Sequence, residues 1–310
     1  MAACFVAEIQ SEQKSRRVRV SILTLTYNRP QFIGRAIESV LNQDFQDWEL
    51  IVVHDGPDER TAEIVSRWGN SDPRIRYLRR EKAGNIANAT NYGLAHVRGE
   101  YVAILDDDDS WIPAHKLSKQ VQFLDGNPDY AACGGGMIVV DRSGQKKLRC
   151  LKRQDDAGLK RWALVANPIV HSTAMFRRSL MESCGGYDES LSGFADWDVV
   201  LKLGQCGKLY NFPEEFTSYT LWDDGWSFAQ HRKSARSALT IIRRYANAYR
   251  GFLPAVATAA FQYAYAHLPE PIRQLSFSFL SRTKKALFSE RRKRRAEPVE
   301  SAVEPAEIAV

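Results

Sequence analysis

Four consecutive aspartates, Asp106 to Asp109, directly follow an apolar run and are the sharpest chemical signal in the sequence. Like charges this close repel, so several carboxylates are tolerated together only where solvent or a cation compensates them. Side chains two residues apart on an extended segment share a face. That alternation directs Asp106 and Asp108 into one space, Asp107 to the opposite side and Asp109 off the shared face. Hard carboxylate oxygens suit Mg²⁺ or Mn²⁺. A solvated acidic turn is the plain alternative, and the position immediately after the buried-strand pattern YVAIL (101–105) favours the metal.

The elements that must position this cluster are legible upstream. The stretch 18–25 reads VRVSILTL, a β-branched run suited to a buried strand, and Tyr27-Asn28-Arg29-Pro30 breaks it. FIGRAIESVLNQ then carries apolar residues at helical spacing. A second strand, 48–54, ends in the turn Asp55-Gly56-Pro57-Asp58, and a helix covers 61–68. A third strand at 75–78 and a helix at 87–97 lead into 101–105. Strands alternating with helices predict an α/β fold, a mainly parallel, Rossmann-like sheet flanked by helices. Ligands bind such sheets beyond the carboxyl ends of the strands, which is where Tyr27-Asn28, Asp55 and the aspartates fall. Beyond Pro113 the pattern is mixed: a strand at 130–140 containing three glycines, a polar excursion with a helix over 141–165, a strand at 171–177, a helix at 196–203 and helical sequence from Ala229 onward.

In four segments the chain resembles family 2 glycosyltransferases of the GT-A fold. They are VSILTLTYNRPQFIGRAIESVLNQ (20–43), WELIVVHDG (48–56), GEYVAILDDDDSWIPAHKL (99–117) and GFADWDVVLKL (193–203), in matching order and spacing across 18–228. The resemblance implies roles by position. Tyr27 falls where the nucleotide base packs, Asp55 where a carboxylate accepts from the base ring, and Asp107 where the ribose is contacted. Asp106 and Asp108 end the DxD motif, with Asp108 the closer to the metal, Mn²⁺ or Mg²⁺. Asp196 matches the catalytic base, with Asp198 its competitor; on a helix the two lie roughly 200° apart, so one alone faces a cleft. His171 and Trp197 stand on the acceptor side. Each residue also has an ordinary reading: Tyr27 packing on the next helix, Asp55 shaping a turn, Asp196 capping a helix, His171 structural.

Three positions depart from the family pattern. His54 replaces the first of two acidic residues, and Thr90 stands where an arginine is common. Trp222 occupies the place of a histidine, leaving Asp223 or Asp224 as substitute metal ligands. The implied activity is inverting transfer from a nucleoside-diphosphate sugar to an acceptor hydroxyl, on a sugar or a lipid-linked glycan, by single displacement. Two other classes are a metal-dependent sugar nucleotidyltransferase and a non-catalytic nucleotide-sugar binder. The chain has no GxxxxGK[ST] loop and no Gly-rich basic loop after its first strand, while the base-contacting aspartate is kept.

Composition bounds the rest. The chain has 310 residues, 44% hydrophobic and 26% charged, with a formal net charge of +6. Its five cysteines form no CxxC pair, which fits a reducing cytosol. The apolar stretch near the N-terminus precedes its basic cluster, unlike a signal peptide. The expected organisation is an extension (1–17), a GT-A domain (18–228, its nucleotide half 18–115 and acceptor half 116–228), a helical extension (229–290) and a basic, then disordered tail (291–310). Between 271 and 288 apolar residues approximate one helical face flanked by Arg273, Arg282, Lys284 and Lys285, and ERRKRR follows. Basic amphipathic helices dock on anionic membranes, each Lys or Arg contributing roughly 1 kcal/mol. No nucleic-acid-binding motif accompanies the basic run. The plain alternative is that this apolar face packs on the catalytic domain and the basic run is solvated. The expected location is cytoplasmic, and peripheral on the inner face of the membrane where the tail docks on lipid. Co-sedimentation with anionic liposomes at low salt should retain the full chain and lose a chain truncated after Pro269. Equal binding by the two, or none by the full chain, rejects the membrane reading.

Overall fold

The computed structural model describes residues 18–81, 84–141, 145–220 and 231–267. Strands β1 (Val20–Thr26), β2 (Trp48–Asp55), β3 (Ile75–Arg80) and β4 (Tyr101–Ile104) form a parallel block in the order β3-β2-β1-β4. They are joined by helices α1 (Pro30–Leu41), α2 (Glu59–Ser71) and α3 (Ile86–Leu94). The parallel arrangement brings Thr26, Asp55 and the residues after Ile104 to one edge. Local chemistry starts these helices: Pro30 opens α1 with φ already set, Asp58 accepts from Thr61 N at 2.8 Å, and Asn85 accepts from Asn88 N at 2.8 Å.

The alternation along the strands separates two cores. Val20 and Ile22, Leu50 and Val52, and Tyr101 and Ala103 face α1 and α2. Leu23, Ile51, Val53, Val102 and Ile104 face α3 and the helices that follow later. Both faces are covered, so these strands read as continuous apolar runs.

The sheet becomes mixed beyond β4. It continues through β8 (Met175–Arg177), β6 (Tyr130–Val140), β9 (Lys208–Thr220) and β5 (Asp109–Trp111), with β7 (Lys146–Cys150) paired to β6. β8 runs antiparallel to β4 and β6, whereas β9 is parallel to β6. α4 (Lys116–Gly126) packs on the first core, and α6 (Arg178–Ser183) and α7 (Ala195–Cys206) on the second. α5 is short (Asp156–Arg161).

Two sequence expectations need correction here. The strand expected over 171–177 is a 3₁₀ turn at His171–Thr173 and only then β8. Thr173 donates both N–H and Oγ to Val170 O, at 2.9 and 2.7 Å, a local bond that displaces the ladder. The polar excursion after 141 contains β7, and β9 was not anticipated at all. Its sequence KLYNFPEEFTSYT carries Pro213 and two glutamates, and its pairing with β6 slips in register around Gly134–Met137.

The C-terminal part forms α8 (His231–Arg244) and α9 (Phe252–Ala266). They build a third core with α7: Trp197 and Leu201 meet Ala238, Ile241, Ile242, Tyr245, Tyr249, Ala255 and Ala259. Among the described residues, no helix is long and apolar enough to cross a membrane. The expected extension 1–17, the segment containing Trp222, Asp223 and Asp224, and the amphipathic and basic tail lie outside the described residues.

At the amino edge of the parallel block one buried carboxylate ties four segments together. Glu49, 1% exposed in its side chain, accepts from Ser21 Oγ (2.7 Å), Arg98 N (2.8 Å), Arg98 Nε (2.9 Å) and Arg76 Nη1 (2.8 Å). Burial alone would raise its pKa; bonds from Arg98, Ser21 and Arg76 hold it below the usual carboxylate range. Gly99 N donates to Ser21 Oγ at 2.8 Å, and a Cβ on Gly99 would lie 2.5 Å from Ser21 N, so this close approach requires glycine. Glu49→Ala should cost about 3–5 kcal/mol in urea unfolding, because it strands buried donors and two guanidinium groups. Its contribution is present above the ordinary unfolded pKa and is lost as pH falls through the depressed folded value. The wild-type advantage should therefore shrink in acid, and an advantage independent of pH would refute the account.

Candidate functional site

The carboxyl edge of the parallel block is built first from β1. After Thr26 the chain turns through Asn28, whose φ of 51° is a left-handed conformation that Asn tolerates. This turn presents Tyr27 outward, 39% exposed, and sends Arg29 back across the edge. The Tyr27 ring rests on the end of β2: a Cβ on Gly56 would stand 2.9 Å from the ring and 3.1 Å from Asn28 Oδ1. Asp55, the last residue of β2, is buried, and Arg80 Nε at the end of β3 lies 3.2 Å from its Oδ1. Arg80 also donates to Asn88 Oδ1 at 2.7 Å. The neighbouring His54 turns away from the edge: it is fully buried, its Nδ1 is 2.9 Å from Tyr77 OH, and burial lowers its pKa. Thr90 is buried and bonds Ile86 O at 2.7 Å. In its place the guanidinium nearest Asp55 comes from β3.

The aspartate tetrad departs from simple alternation. β4 ends at Ile104, and residues 106–109 form a turn closed by Asp109 N to Asp106 O at 3.1 Å. The expectation that Asp106 and Asp108 share a face against Asp107 is therefore corrected. Arg29 Nη1 instead lies between Asp107 Oδ1 (3.3 Å) and Asp108 Oδ2 (2.8 Å). Arg35 of α1 donates to Asp108 O at 2.6 Å and Thr220 Oγ1 at 2.9 Å. Asp106 faces the 3₁₀ turn, with His171 Nδ1 at 3.2 Å and Ser172 Oγ donating at 2.8 Å. Asp109 is buried at the start of β5.

Burial sets the charge state of this cluster. It lifts Asp107 to about 7, against the pull of Arg29 and with the push of Asp108 and Asp106. It raises Asp108 despite Arg29, and raises Asp109 well above the carboxylate range with the help of Asp106. Asp106 differs: burial would raise it, but the charge and bond of His171 and the Ser172 hydroxyl hold it low. Burial would lower His171, but Asp106 holds its pKa above the ordinary value. Among the described residues no three His, Cys, Asp or Glu groups gather as a metal cage. Asp107 Oδ2 and Asp109 Oδ1 are nevertheless enclosed without hydrogen-bond partners. Mg²⁺ takes one or two carboxylates and completes its shell with water and substrate phosphates, so the donor chemistry here fits Mn²⁺ or Mg²⁺.

His171 connects this edge to the acceptor half. Its Nε2 is 2.9 Å from Tyr187 OH, and the charge of Asp196 acts on both His171 and Tyr187. Asp196 sits in the first turn of α7, partly exposed, with Oδ2 accepting from Asn167 Nδ2 at 2.8 Å. The residue before that helix, Phe194, has φ 62°, a left-handed conformation costly for a bulky side chain. Trp197 is buried and donates Nε1 to Ala163 O at 2.7 Å. Asp198 is fully buried, with Arg244 Nη1 at 2.7 Å, Lys202 Nζ at 3.0 Å and Tyr245 OH donating at 3.0 Å.

The site therefore brings together Tyr27, Asp55 and Asp106–Asp108 at one edge, with His171 linking them toward Asp196. It turns Asp198 inward. Sequence reading did not assign Arg29, Arg35, Arg80, Ser172, Tyr187 or Asn167. It also did not assign the asparagines of α3: Asn88 and Asn91 bond the Glu189 carboxylate at 2.7 and 2.9 Å, and Asn85 bonds its carbonyl at 2.6 Å. Their spacing of three along a helix was a usable signal.

A mixed sheet whose parallel block ends in an acidic edge, flanked by helices on both faces, is the GT-A fold. The family model described as Glycosyl transferase family 2 matches residues 21–185, and the chain belongs to that family. EpsE of Bacillus subtilis, named as a glycosyltransferase, is 31% identical over 170 residues; the match covers 54% of this chain and 60% of EpsE, less than two thirds of that relative. The amylovoran biosynthesis glycosyltransferase AmsE of Erwinia amylovora is 26% identical over 218 residues, 67% of this chain and 80% of AmsE. The fold matches the mannosyltransferase PcManGT of Pyrobaculum calidifontis, solved with GDP-Man and Mn²⁺. The TM-score is 0.58, with 22% identity over 93% of this chain and 86% of the neighbour.

Arg29 is the near cation for two buried carboxylates. Arg29→Met should destabilise the chain by about 1–2 kcal/mol at pH 8, a value reduced because the guanidinium is 38% exposed and solvent screens it. The loss should shrink at pH 5, below the value of about 7 to which burial lifts Asp107. Urea unfolding at both pH values checks this, and an equal loss at the two refutes it.

Proposed function

We propose that the chain transfers a glycosyl unit from a nucleoside-diphosphate sugar to an acceptor hydroxyl with inversion, in polysaccharide or glycoconjugate assembly. The observation that carries the reading is the placement of Asp196: a carboxylate held on one oxygen by Asn167 and within electrostatic reach of the His171–Asp106 pair. In this reading the donor and the acceptor base share one cleft. The name of AmsE supports the polysaccharide setting, and PcManGT, solved with GDP-Man and Mn²⁺, supports a nucleotide-sugar donor with a divalent ion.

In this reading the domain spans 18–228, with its nucleotide half at 18–115 and its acceptor half at 116–228. Tyr27 packs the base, Asp55 accepts from the base ring, and Asp107 contacts the ribose. Asp106 and Asp108 hold Mn²⁺ or Mg²⁺, which when bound supplies positive charge to the departing diphosphate. His171 keeps Asp106 ionised and oriented. Asn167 fixes the Asp196 carboxylate, whose other oxygen takes no hydrogen bond among the described residues. That oxygen accepts the acceptor hydroxyl's proton as the hydroxyl oxygen attacks the anomeric carbon. The geometry parallels inverting glycoside hydrolysis, with the general acid absent. A lipid-linked acceptor and an anionic membrane surface are the partners that fit a cytoplasmic, peripheral enzyme.

Incubation with a panel of nucleotide sugars and Mn²⁺, reading nucleoside diphosphate release, tests the reaction class. Asp196→Asn should lower turnover on the order of 10²–10⁴-fold with donor affinity little changed, and Asp198→Asn should act through stability instead. A mild Asp196→Asn beside a catalytically dead but stable Asp198→Asn would transfer the role. Mn²⁺ at about a hundred times its dissociation constant should stabilise the fold by roughly 2.7 kcal/mol, read as a rise in the melting temperature. Loss of that rise in Asp108→Asn is expected, and an unchanged rise removes Asp108 from the metal site.

A further inference from the structure

A cavity of about 420 Å³ lies between the 148–168 segment, the start of α7, and helices α8 and α9. Its size is that of a small-molecule site, about 300–1,000 Å³. Its polar lining is confined to Lys152, Arg153, Asn167, Asp196, Thr258 and Gln262; every other lining residue is apolar or glycine. Two walls come from α8 and α9, beyond the 21–185 span shared with the family.

The wall chemistry restricts what can fill this space. A packing segment of hydrocarbon would leave the Asp196 carboxylate facing an apolar surface, which is costly. Arg153 Nε is enclosed without a hydrogen-bond partner, and Lys152 Nζ donates to Asn167 O, the same residue that orients Asp196. The occupant must therefore offer a hydroxyl to Asp196, an anion to the Lys152–Arg153 side and hydrocarbon to the rest. The chain's own tail, with Arg282, Lys284, Lys285 and Arg291 to Arg295, carries the wrong charge for that cationic side.

We infer that this cavity is an acceptor subsite that takes the apolar portion of an anionic amphiphile, such as an alkyl phosphate ester bearing a hydroxyl, and presents that hydroxyl to Asp196; decyl phosphate serves below as the probe of the apolar and anionic parts alone. The inference rests on Asp196 being the acceptor-side base. It assigns α8 and α9 a role in acceptor choice: Ala238, Ala255 and Ala259 keep the space open by being small.

Binding is measured by calorimetry on the full chain with decyl phosphate below its micellar concentration, with decanol and inorganic phosphate as separate arms. Decyl phosphate should bind at least tenfold more tightly than decanol, and inorganic phosphate alone should not register. Ala259→Phe, which fills the cavity, and Thr258→Trp, which narrows its rim with less demand on the core, should each weaken decyl phosphate at least tenfold. Arg153→Gln should bring decyl phosphate close to decanol. Binding of nucleoside diphosphate with Mn²⁺ in the same variants should be unchanged. Wild-type affinity for decyl phosphate in both cavity variants, or no binding by the wild type, overturns the inference. Failure of nucleoside diphosphate to bind any form, with decyl phosphate binding intact, counts instead against the transferase reading.

Discussion

Four carboxylates at the end of one buried strand impose the constraint on which the rest of the site depends. Asp107 and Asp109 are drawn out of bulk water, Asp108 partly so, and the charges of Asp106 and Asp108 raise the cost of ionising their neighbours. The fold answers with cations and hydroxyls delivered from distant segments. Arg29 arrives from the loop after β1. His171 and Ser172 arrive from a 3₁₀ turn that interrupts what would otherwise be a longer strand β8. The compensation is incomplete, since Asp107 and Asp109 retain unpaired oxygens. An acidic edge left short of positive charge is one that a divalent cation would stabilise.

The same constraint explains how the two halves are joined. His171 contacts Asp106 through one ring nitrogen and Tyr187 through the other. Tyr187 is in turn anchored by Asn91, which bonds its N–H and its carbonyl at 2.9 and 2.8 Å. Asn88 links Glu189 of this same loop to Arg80 beside Asp55. The 187–189 loop is thus fastened by polar bonds to α3 and, through Arg80, to the edge that holds Asp55. Such bonds depend steeply on geometry, which makes them suited to fixing the spacing of the two halves of the sheet edge. The apolar contacts of the third core serve a different purpose, holding α8 and α9 against α7.

Legibility in the sequence followed the range of the interactions. Strands β1, β2 and β4 were readable because they are buried on both faces and carry uninterrupted apolar runs, and the polar residues ending them fell at the expected edge. Helix α7 was readable, three residues short at its C-terminal end, from its spacing. β9 was hidden by Pro213 and its glutamates, because its strand character comes from pairing with β6 and not from its own composition. The alternation argument for the aspartates failed because it presumes an extended chain, whereas the strand stops at Ile104 and a turn begins. Arg29 stood in plain view in YNRP, but its carboxylate partners are 78 and 79 positions away, and nothing local announces a contact of that range.

The choice between Asp196 and Asp198 shows what the structure adds to a helical wheel. Two residues apart in the first turn of α7, they point in nearly opposite directions, and the wheel alone leaves open which one faces the cleft. The decision is made by α8, which lies outside the family's shared span. Arg244 reaches from α8 to Asp198 at 2.7 Å and to Asp188 at 2.7 Å, and Tyr245 and Lys202 complete the enclosure. That carboxylate is fully enclosed by two cations and a hydroxyl. Anchoring Asp198 in that way fixes the rotation of α7, and the left-handed Phe194 fixes where the helix begins. Asp196 is then the carboxylate left facing the space shared by His171, Asn167 and the cavity beneath α9. The C-terminal helices therefore act on the start of α7 through the Arg244–Asp198 ion pair, by determining which of the two aspartates is enclosed and which stays on the cavity side.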